Sequence, residues 1–247
     1  MRVVCVIPAR LASQRFPRKV LAMLGEKPLL KWVWEAARST DCFDDLAFAI
    51  DSEETAELID SFDGKYFMTS PHAESGTDRL AQLCLEKKME GEIWVNWQGD
   101  EPFIKEEMVK RLLSRPHDPC EIWTLKKKIE RREEIEDPNV VKVVTDLKGR
   151  ALYFSRLPIP FNRDGLESPT YYKHLGLYAY RQEALIKMST LPKSSLEASE
   201  KLEQLRFMEH GMSIQVHETF QESLGIDVIE DLKRAHERLQ EERLIKS

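Results

Sequence analysis

Glycine is scarce in this sequence, with 10 residues in 247, or about 4% where about 7% is usual. Neither the dinucleotide-binding pattern GxGxxG nor the phosphate-loop pattern GxxxxGK followed by Ser or Thr occurs. These absences argue against a nicotinamide-dependent dehydrogenase and against a kinase-type nucleotidase. If the chain binds phosphate groups, we expect side chains to hold them.

Long apolar runs are also missing, and none approaches the roughly 18 to 20 residues of a membrane span. The first ten residues have neither the length nor the cleavage site of a secretory signal. We therefore expect a cytoplasmic protein without membrane insertion. The cysteines occur singly, without a CxxC pair or a histidine at zinc-finger spacing, and we expect reduced thiols at Cys5, Cys42, Cys84 and Cys120.

An excess of positive charge is absent as well, because 37 Lys and Arg stand against 43 Asp and Glu, for a net charge of −6. Such a chain has no general attraction to nucleic acid or to an anionic membrane surface. An anionic ligand would therefore have to be bound by a local cluster of cations.

The first half of the sequence alternates apolar runs of the strand type with helical patterns. Such alternation at 20 to 30 residue intervals predicts βαβ units and a largely parallel sheet. Strands are predicted at 3 to 7, 45 to 50, 65 to 68, 92 to 97 and 120 to 125. Helices are predicted at 28 to 39, 52 to 62, 77 to 89 and 105 to 114.

The second half is less regular. We predict a hairpin from 140 to 156, a proline-rich loop from 157 to 169, and later strands at 174 to 181 and 213 to 218. Helices are predicted near 182 to 190, at 196 to 210 and at 228 to 245. No linker forces a break, so we expect one α/β domain, 1 to 247, with an inserted β-rich subdomain at approximately 125 to 185.

A cation cluster follows the first predicted strand, where open parallel sheets bind ligands. Arg10, Arg15, Arg18 and Lys19 lie within ten residues of an otherwise acidic chain, and Ser13 adds a hydroxyl. Arginine forks and a lysine point charge suit a triphosphate. The alternative is a solvated basic loop.

Two aspartates are candidates for a metal site. Asp100 ends the predicted strand EIWVNW, with Asn96 and Gln98 on the same face, and Asp227 precedes the last predicted helix. Carboxylates beside a triphosphate commonly hold Mg²⁺. The alternatives are that Asp100 is a turn former and that Asp227 caps a helix together with Glu230.

A short polar turn, His72 to Arg79, opens another predicted helix. Ser75, Gly76 and Thr77 could contact the edge of a nucleotide base. The alternative is that Thr77 is an ordinary helix cap.

Eight segments of the sequence resemble the bacterial 3-deoxy-D-manno-octulosonate (Kdo) cytidylyltransferases, also called CMP-Kdo synthetases. In order they are IPARLASQR, HAESGTDR, VNWQGDEP, DPNVVKVV, YFSRLPIP, KHLGLYAYR, SSLEASEKLEQLR and GIDVIEDL. The resemblance covers residues 3 to about 240. It implies a Rossmann-like, mostly parallel sheet flanked by helices, and a homodimer formed through the inserted β-rich subdomain. The implied reaction is Mg²⁺-dependent transfer of CMP from CTP to Kdo, with release of pyrophosphate, for lipopolysaccharide synthesis.

The resemblance also implies roles for individual residues. Lys19, Asp100 and Asp227 would be catalytic, with the two aspartates as metal ligands. The nucleotide would be bound by Arg10, Ser13, Arg15, Lys19, Ser75 and Arg79. The sugar acid would be bound by Gln98, Arg156, His174, Tyr178, Glu203 and Gln204. Taken singly, His174 also suits a core histidine, Tyr178 a packed aromatic residue, and Glu203 with Gln204 a solvated helix face.

The first loop departs from the family pattern. The family commonly reads R-x-P-G-K-P there, whereas this chain has Arg18 and Val20 at the glycine and second proline positions. Because the other cations are retained, we still expect activity. The acceptor could instead be an 8-amino Kdo analogue or a sialic acid, and the remaining alternatives are a metal-dependent glycosyltransferase and a non-catalytic nucleotide sensor.

Overall fold

The computed structural model describes residues 1–13, 15–163, 165 and 169–246. The strands are β1 Val3–Ala9, β2 Met23–Leu24, β3 Lys27–Pro28, β4 Asp45–Ile50, β5 Tyr66–Met68, β6 Ile93–Asn96, β7 Ile122–Lys128, β8 Lys142–Thr145, β9 Ala151–Ser155, β10 Tyr172–Arg181 and β11 Ile214–Glu218. The helices are α1 Leu29–Arg38, α2 Glu53–Asp60, α3 Gly76–Leu85, α4 Glu106–Leu112, α5 Glu133–Glu136, α6 Gln182–Met188, α7 Ser195–Glu200, α8 Glu203–Glu209 and α9 Ile229–Lys246, with a 3₁₀ turn at Lys19–Leu21.

The chain forms two compact units. The first contains Met1–Val109 and Glu222–Ser247, and the second contains Lys110–Gln221. The expected insertion at approximately 125 to 185 falls within the second unit, and its role in dimerisation stays a prediction.

The first unit is built on a parallel sheet with the strand order β6-β1-β4-β5. Val4 to Ile7 of β1 are completely buried, as expected for a strand covered on both faces. The connection runs from β1 outward to β5 and then returns to β6 on the other side of β1. In open α/β sheets, ligands bind where the strand order reverses in this way.

Helix α9 returns the end of the chain to the first unit. Its apolar residues Leu232, Ala235 and Leu239 recur at spacings of three and four and join a core cluster that includes Phe103 and Ile226. This packing places the segment before α9, which carries Asp227, within the first unit.

The second unit contains the antiparallel pairs β7 with β10 and β8 with β9, and β11 adds to β7 in parallel. The pairing of β10 with β7 shifts register between Leu175 and Tyr178. The predicted hairpin is present as β8 and β9. Part of the predicted loop at 157 to 169 lies outside the described residues, which omit 164 and 166–168.

The prediction of an α/β fold with a largely parallel sheet is confirmed, but the single helix predicted at 196 to 210 is wrong. Helix α7 ends at Glu200, the following Lys201 is left-handed with φ of 54°, and α8 begins at Glu203. The main-chain oxygens of Glu200 and Lys201 accept hydrogen bonds from the Arg156 guanidinium, at 2.7 and 3.5 Å. Contact with Arg156 therefore overrides the local helical pattern. Among the described residues, no helix has the length and apolar character needed to cross a membrane.

Candidate active site

A cavity of about 1020 Å³ lies at the carboxyl ends of β1, β4 and β6 in the first unit. Small-ligand pockets are typically about 300 to 1,000 Å³, so a nucleotide fits this space. Its walls include Arg10, Ser13, Arg15, Lys19, Ser75, Arg79, Gln98, Asp100 and Asp227. The structure thus brings together every first-unit residue to which the family resemblance assigned a role, whereas Thr77, the other candidate contact for the base, does not line the cavity.

Lys19 occupies the centre of the charged groups. Its ammonium binds Asp100 Oδ2 and Asp227 Oδ1, the second at 2.9 Å, and Arg15 pairs with Asp227 Oδ2 at 3.0 Å. The Lys19 side chain is only 14% exposed, whereas that of Arg15 is 62% exposed. Two carboxylates that are far apart in sequence therefore converge on one buried cation, and their role as metal ligands stays a prediction.

The electrostatics follow from this convergence. Burial alone would lower the pKa of Lys19, but the charges of Asp100 and Asp227 outweigh it and raise that pKa. Burial would likewise raise the pKa of Asp227, and Lys19 and then Arg15 outweigh it and lower that pKa. Lys19 and Asp227 are therefore both ionised at neutral pH.

The alternative readings of Asp227 and Ser75 can be compared with the structure. Asp227 does not pair with Glu230 as a helix cap, because the main-chain N–H groups of Asp227 and Val228 bond to Asp231 Oδ2 at 2.9 and 3.0 Å. The cap of α3 is Ser75, not Thr77, since Ser75 Oγ accepts from the N–H of Asp78 at 3.1 Å. Ser75 thus both caps α3 and lines the cavity.

Backbone contacts position Asp100. The N–H of Gly99 donates to Pro8 O at 3.2 Å, and a Cβ at Gly99 would lie 2.9 Å from the same oxygen. Only glycine allows this approach of the turn to β1. Beside it, Gln98 Nε2 donates to Asn96 Oδ1 at 3.1 Å, which orients the Gln98 amide.

The Arg79 side chain is almost completely buried, and its guanidinium binds other residues of the protein. Its guanidinium pairs with Asp51 at 2.7 Å and also donates to Thr69 Oγ1 and Ser70 O, and its side chain is 2% exposed. Asp51 Oδ1 in turn accepts from the N–H of Leu11 at 2.9 Å. The pair therefore connects α3 to the start of the cationic loop.

Asp51 was missed by the sequence analysis. It directly follows β4 and lines the cavity, so the same strand-end rule that found Asp100 would have found it.

Arg18 adopts a left-handed conformation with φ of 58°. This explains why glycine is common at this position in the related family, since glycine adopts such angles without a Cβ penalty. In this chain the Arg18 guanidinium pairs with Glu54 in the first turn of α2. The loop is thereby connected to a neighbouring helix.

The expected sugar-acid residues other than Gln98 belong to the second unit. The rings of His174 and Tyr178 lie 5.2 Å apart, and His174 Nε2 hydrogen-bonds Thr124 Oγ1 at 3.0 Å. Burial lowers the pKa of His174 to about 3, so the imidazole is neutral. Burial first, and then Tyr180 and Glu203, raise the pKa of Tyr178.

Arg156 and Gln204 complete this set of residues. The Arg156 guanidinium donates to the main-chain oxygens of Pro138 and Glu200, at 2.9 and 2.7 Å. It therefore also joins two separate segments of the second unit. Gln204 is buried, at 6% exposure, rather than on a solvated face. Among the described residues, the Tyr178 hydroxyl is buried without a hydrogen-bond partner.

Known proteins are similar to this chain over most of its length. Residues 4–214 match the model of a cytidylyltransferase family. A Solibacter usitatus protein named 3-deoxy-manno-octulosonate cytidylyltransferase is 47% identical over 235 residues, which cover 94% of this chain and 92% of that protein. A protein of the same name from Thermodesulfovibrio yellowstonii is 43% identical over 251 residues, covering 97% and 98%. A solved structure of CMP:2-keto-3-deoxy-manno-octonic acid synthetase complexed with CTP is 38% identical with a TM-score of 0.91, covering 98% of this chain and 100% of that one.

Proposed function

Because this chain belongs to the family of the 3-deoxy-manno-octulosonate cytidylyltransferases, we propose that it transfers CMP from CTP to Kdo. The anomeric C2 hydroxyl of Kdo attacks the α-phosphorus in line, the bond to the β-phosphate oxygen breaks, and pyrophosphate leaves. The observation that carries this proposal is the convergence of Lys19, Asp100 and Asp227 in one cavity with the cationic loop.

The cationic side chains bind the triphosphate and its leaving group. Arg10 is exposed at the start of the loop and Arg15 at its middle, where each can reach phosphate oxygens. Lys19 is far less exposed than Arg15, and it neutralises the charge that develops on pyrophosphate. Transfer reactions of this kind are catalysed mainly by positioning and charge neutralisation.

The donor set fits Mg²⁺, which commonly uses one or two carboxylates together with substrate phosphate oxygens. Asp100 and Asp227 would hold it, because their oxygens already converge on one ammonium. Among the described residues, no group of three or more His, Cys, Asp or Glu side chains is arranged to hold a metal ion. The remaining ligands would therefore come from the nucleotide and water. When bound, Mg²⁺ supplies polarisation of the α-phosphate and lowers the pKa of the attacking hydroxyl.

The acceptor is bound by a cation and several hydrogen-bonding groups. Arg156 supplies the cation for the Kdo carboxylate, and the neutral His174, the unpaired Tyr178 hydroxyl, Glu203 and Gln204 are suited to sugar hydroxyls. A buried hydroxyl without a protein partner supports this assignment, because such groups are costly unless a ligand satisfies them.

A pyrophosphate-release assay with CTP and Mg²⁺ tests the proposal. The acceptors are Kdo, its 8-amino analogue and N-acetylneuraminate, and UTP replaces CTP as the nucleotide control. We expect turnover with CTP and Kdo. Turnover with sialate alone would assign a different acceptor, and CTP binding without turnover of any acceptor would indicate a nucleotide sensor.

Asp100→Asn tests the role of the carboxylate pair in the same assay. We expect turnover to fall by orders of magnitude with the fold intact, because one of the two converging charges is lost. Asp45→Asn is the matched control, since Asp45 lies on β4 outside the cavity, and its carboxylate bonds Lys65 and the N–H of Leu46 in the contacts described. Near-normal turnover of Asp100→Asn would remove Asp100 from the metal site.

The cellular setting follows from the substrates. CTP is a cytoplasmic metabolite, so the proposed reaction takes place in the cytoplasm, and its product serves lipopolysaccharide synthesis. We also propose a homodimer, because the second unit exposes large apolar side chains, with Leu152, Leu157 and Phe161 60%, 71% and 85% exposed. Light scattering of the purified chain should give the mass of two copies, and a monomer at all concentrations would contradict this.

A further inference from the structure

A side-chain hydrogen bond joins the two segments that carry the candidate metal ligands. Ser223 Oγ donates to Glu101 Oε2, across 122 positions of sequence. The chain then passes close over the same carboxyl group, since a Cβ at Gly225 would lie 3.1 Å from Glu101 Oε1. The carboxyl of Glu101 therefore contacts the segment just before Asp227.

Main-chain contacts hold Glu101 itself. Its N–H donates to Gln98 O at 3.1 Å, and Trp97 Nε1 donates to Glu101 O at 3.1 Å. The N–H of Ile226 donates to Asp100 O at 2.9 Å, and Ile226 is fully buried. The turn after β6 and the segment before α9 are thus joined twice, once by main chain and once by the Glu101 and Ser223 side chains.

Glu101 lies near the charges of Asp100, Asp227 and Lys19 but outside the cavity that these three residues line. Lys19 binds the two aspartates, and Glu101 does not line the cavity. A direct role as a ligand for the nucleotide or its metal is therefore not what the geometry favours. The position of Glu101 suits a group that acts through the aspartates.

We propose that Glu101 and Ser223 are positioning residues, and that their hydrogen bond sets the place of Asp227 relative to Asp100 and so the affinity of the pair for a divalent cation. This inference rests on the proposed metal-dependent transfer. Partners that orient metal ligands without touching the metal typically change affinity by about 10- to 100-fold when they are removed. Because the Ile226 contact remains, we expect the lower end of that range.

The test measures Mn²⁺ binding by electron paramagnetic resonance, with the non-transferable analogue α,β-methylene-CTP present. Ser223→Ala should weaken Mn²⁺ binding about tenfold, and Ser223→Thr, which keeps the hydroxyl, should restore it. Metal-free binding of the analogue should stay within about twofold. Ser39→Ala is the matched control, since the Ser39 hydroxyl bonds only a main-chain oxygen at the end of α1 in the contacts described.

A double-mutant cycle separates the hydrogen bond from a general loss of structure. Glu101→Ala combined with Ser223→Ala should weaken Mn²⁺ binding no more than Glu101→Ala alone, because both remove one interaction. Melting temperatures of all variants are measured alongside, and binding is measured well below them. A loss of thermal stability with unchanged Mn²⁺ affinity would assign a structural role only and overturn the inference.

The two proposals fail in different ways. If the wild-type chain binds Mn²⁺ and Ser223→Ala binds it equally well, the positioning role is refuted and the proposed function stands. If the wild-type chain binds no Mn²⁺ with the analogue present, the metal site itself is refuted, and the positioning role with it.

Discussion

Replacement of Arg79 distinguishes a buried structural ion pair from a contact with the nucleotide base. In the structure Arg79 and Asp51 are 2% and 9% exposed and lie 2.7 Å apart. Arg79→Met keeps an unbranched side chain of similar reach but removes the charge. Asp51 then keeps the N–H of Leu11 as a partner and loses its counter-ion in a buried place.

The magnitude follows from that burial. Removing one partner of a buried pair typically costs about 3 to 5 kcal/mol, because the other charge is left without compensation. We therefore expect Arg79→Met to lower the free energy of unfolding by about that amount. Asp51→Asn added to Arg79→Met removes the second charge as well, so the double variant should be less destabilised than the sum of the single changes.

Urea unfolding at pH 7, followed by tryptophan fluorescence, measures this effect. Four of the five tryptophans, Trp32, Trp34, Trp94 and Trp97, belong to the first unit and so report on it. The control is Lys65→Met, which breaks the more exposed pair with Asp45 on β4.

The control should change the free energy of unfolding by less than about 1 kcal/mol. A similarly small change for Arg79→Met, together with a raised KM for CTP, would refute the buried-pair reasoning and return Arg79 to the cytidine pocket.

Three further changes follow from the geometry. Arg18→Gly should alter the free energy of unfolding by less than about 1 kcal/mol, whereas Arg18→Val, β-branched at φ of 58°, should lower it by at least about 1 kcal/mol in urea unfolding. His174→Gln should reduce acid sensitivity. Burial lowers the pKa of His174 to about 3 in the folded protein, so its contribution to stability is complete above about pH 6.5 and falls as the pH drops toward 3. The fall is at most about 1.4 kcal/mol per pH unit, and melting temperatures measured against pH would show it. Gly99→Ala should displace the turn that carries Asp100 and lower kcat by up to about a hundredfold, and an unchanged kcat would show that the contact with Pro8 relaxes without cost.

Local sequence patterns predicted most of the first unit. The apolar run at 45 to 50 coincides with β4, and β1, β6 and α1 lie within a few residues of their predicted bounds. Such patterns succeed here because a parallel sheet covered on both faces needs continuous apolar strands, and the helices between them need one apolar face.

Patterns failed where contacts distant in sequence decide the structure. The break after α7 depends on Arg156, about 45 positions away. Its guanidinium donates hydrogen bonds to main-chain oxygens at the end of that helix. The short hairpin of β2 and β3 has only two residues in each strand and offers too little periodicity to detect.

The candidate site was predictable in part for the same reason. The strand-end rule located Asp100 and the cationic loop without knowledge of their partners, because the carboxyl ends of parallel strands share one edge. The hydrogen bond of Ser223 to Glu101 gives no signal in either segment alone. The burial of Arg79 depends on its ion pair with Asp51, 28 positions earlier. An arginine in the sequence does not by itself indicate such a buried pair.

The long separation between Lys19 and Asp227 also bears on the order in which the chain becomes functional during synthesis. These residues are 208 positions apart, whereas Lys19 and Asp100 are 81 apart. On the ribosome, chains grow at about 5 to 20 residues per second and N-terminal parts begin to fold first. A nascent chain therefore has the cationic loop and one carboxylate well before the whole second unit has been translated. The second carboxylate arrives only with the segment before α9, so a chain interrupted within the second unit holds half of the candidate metal site and we expect it to be inactive.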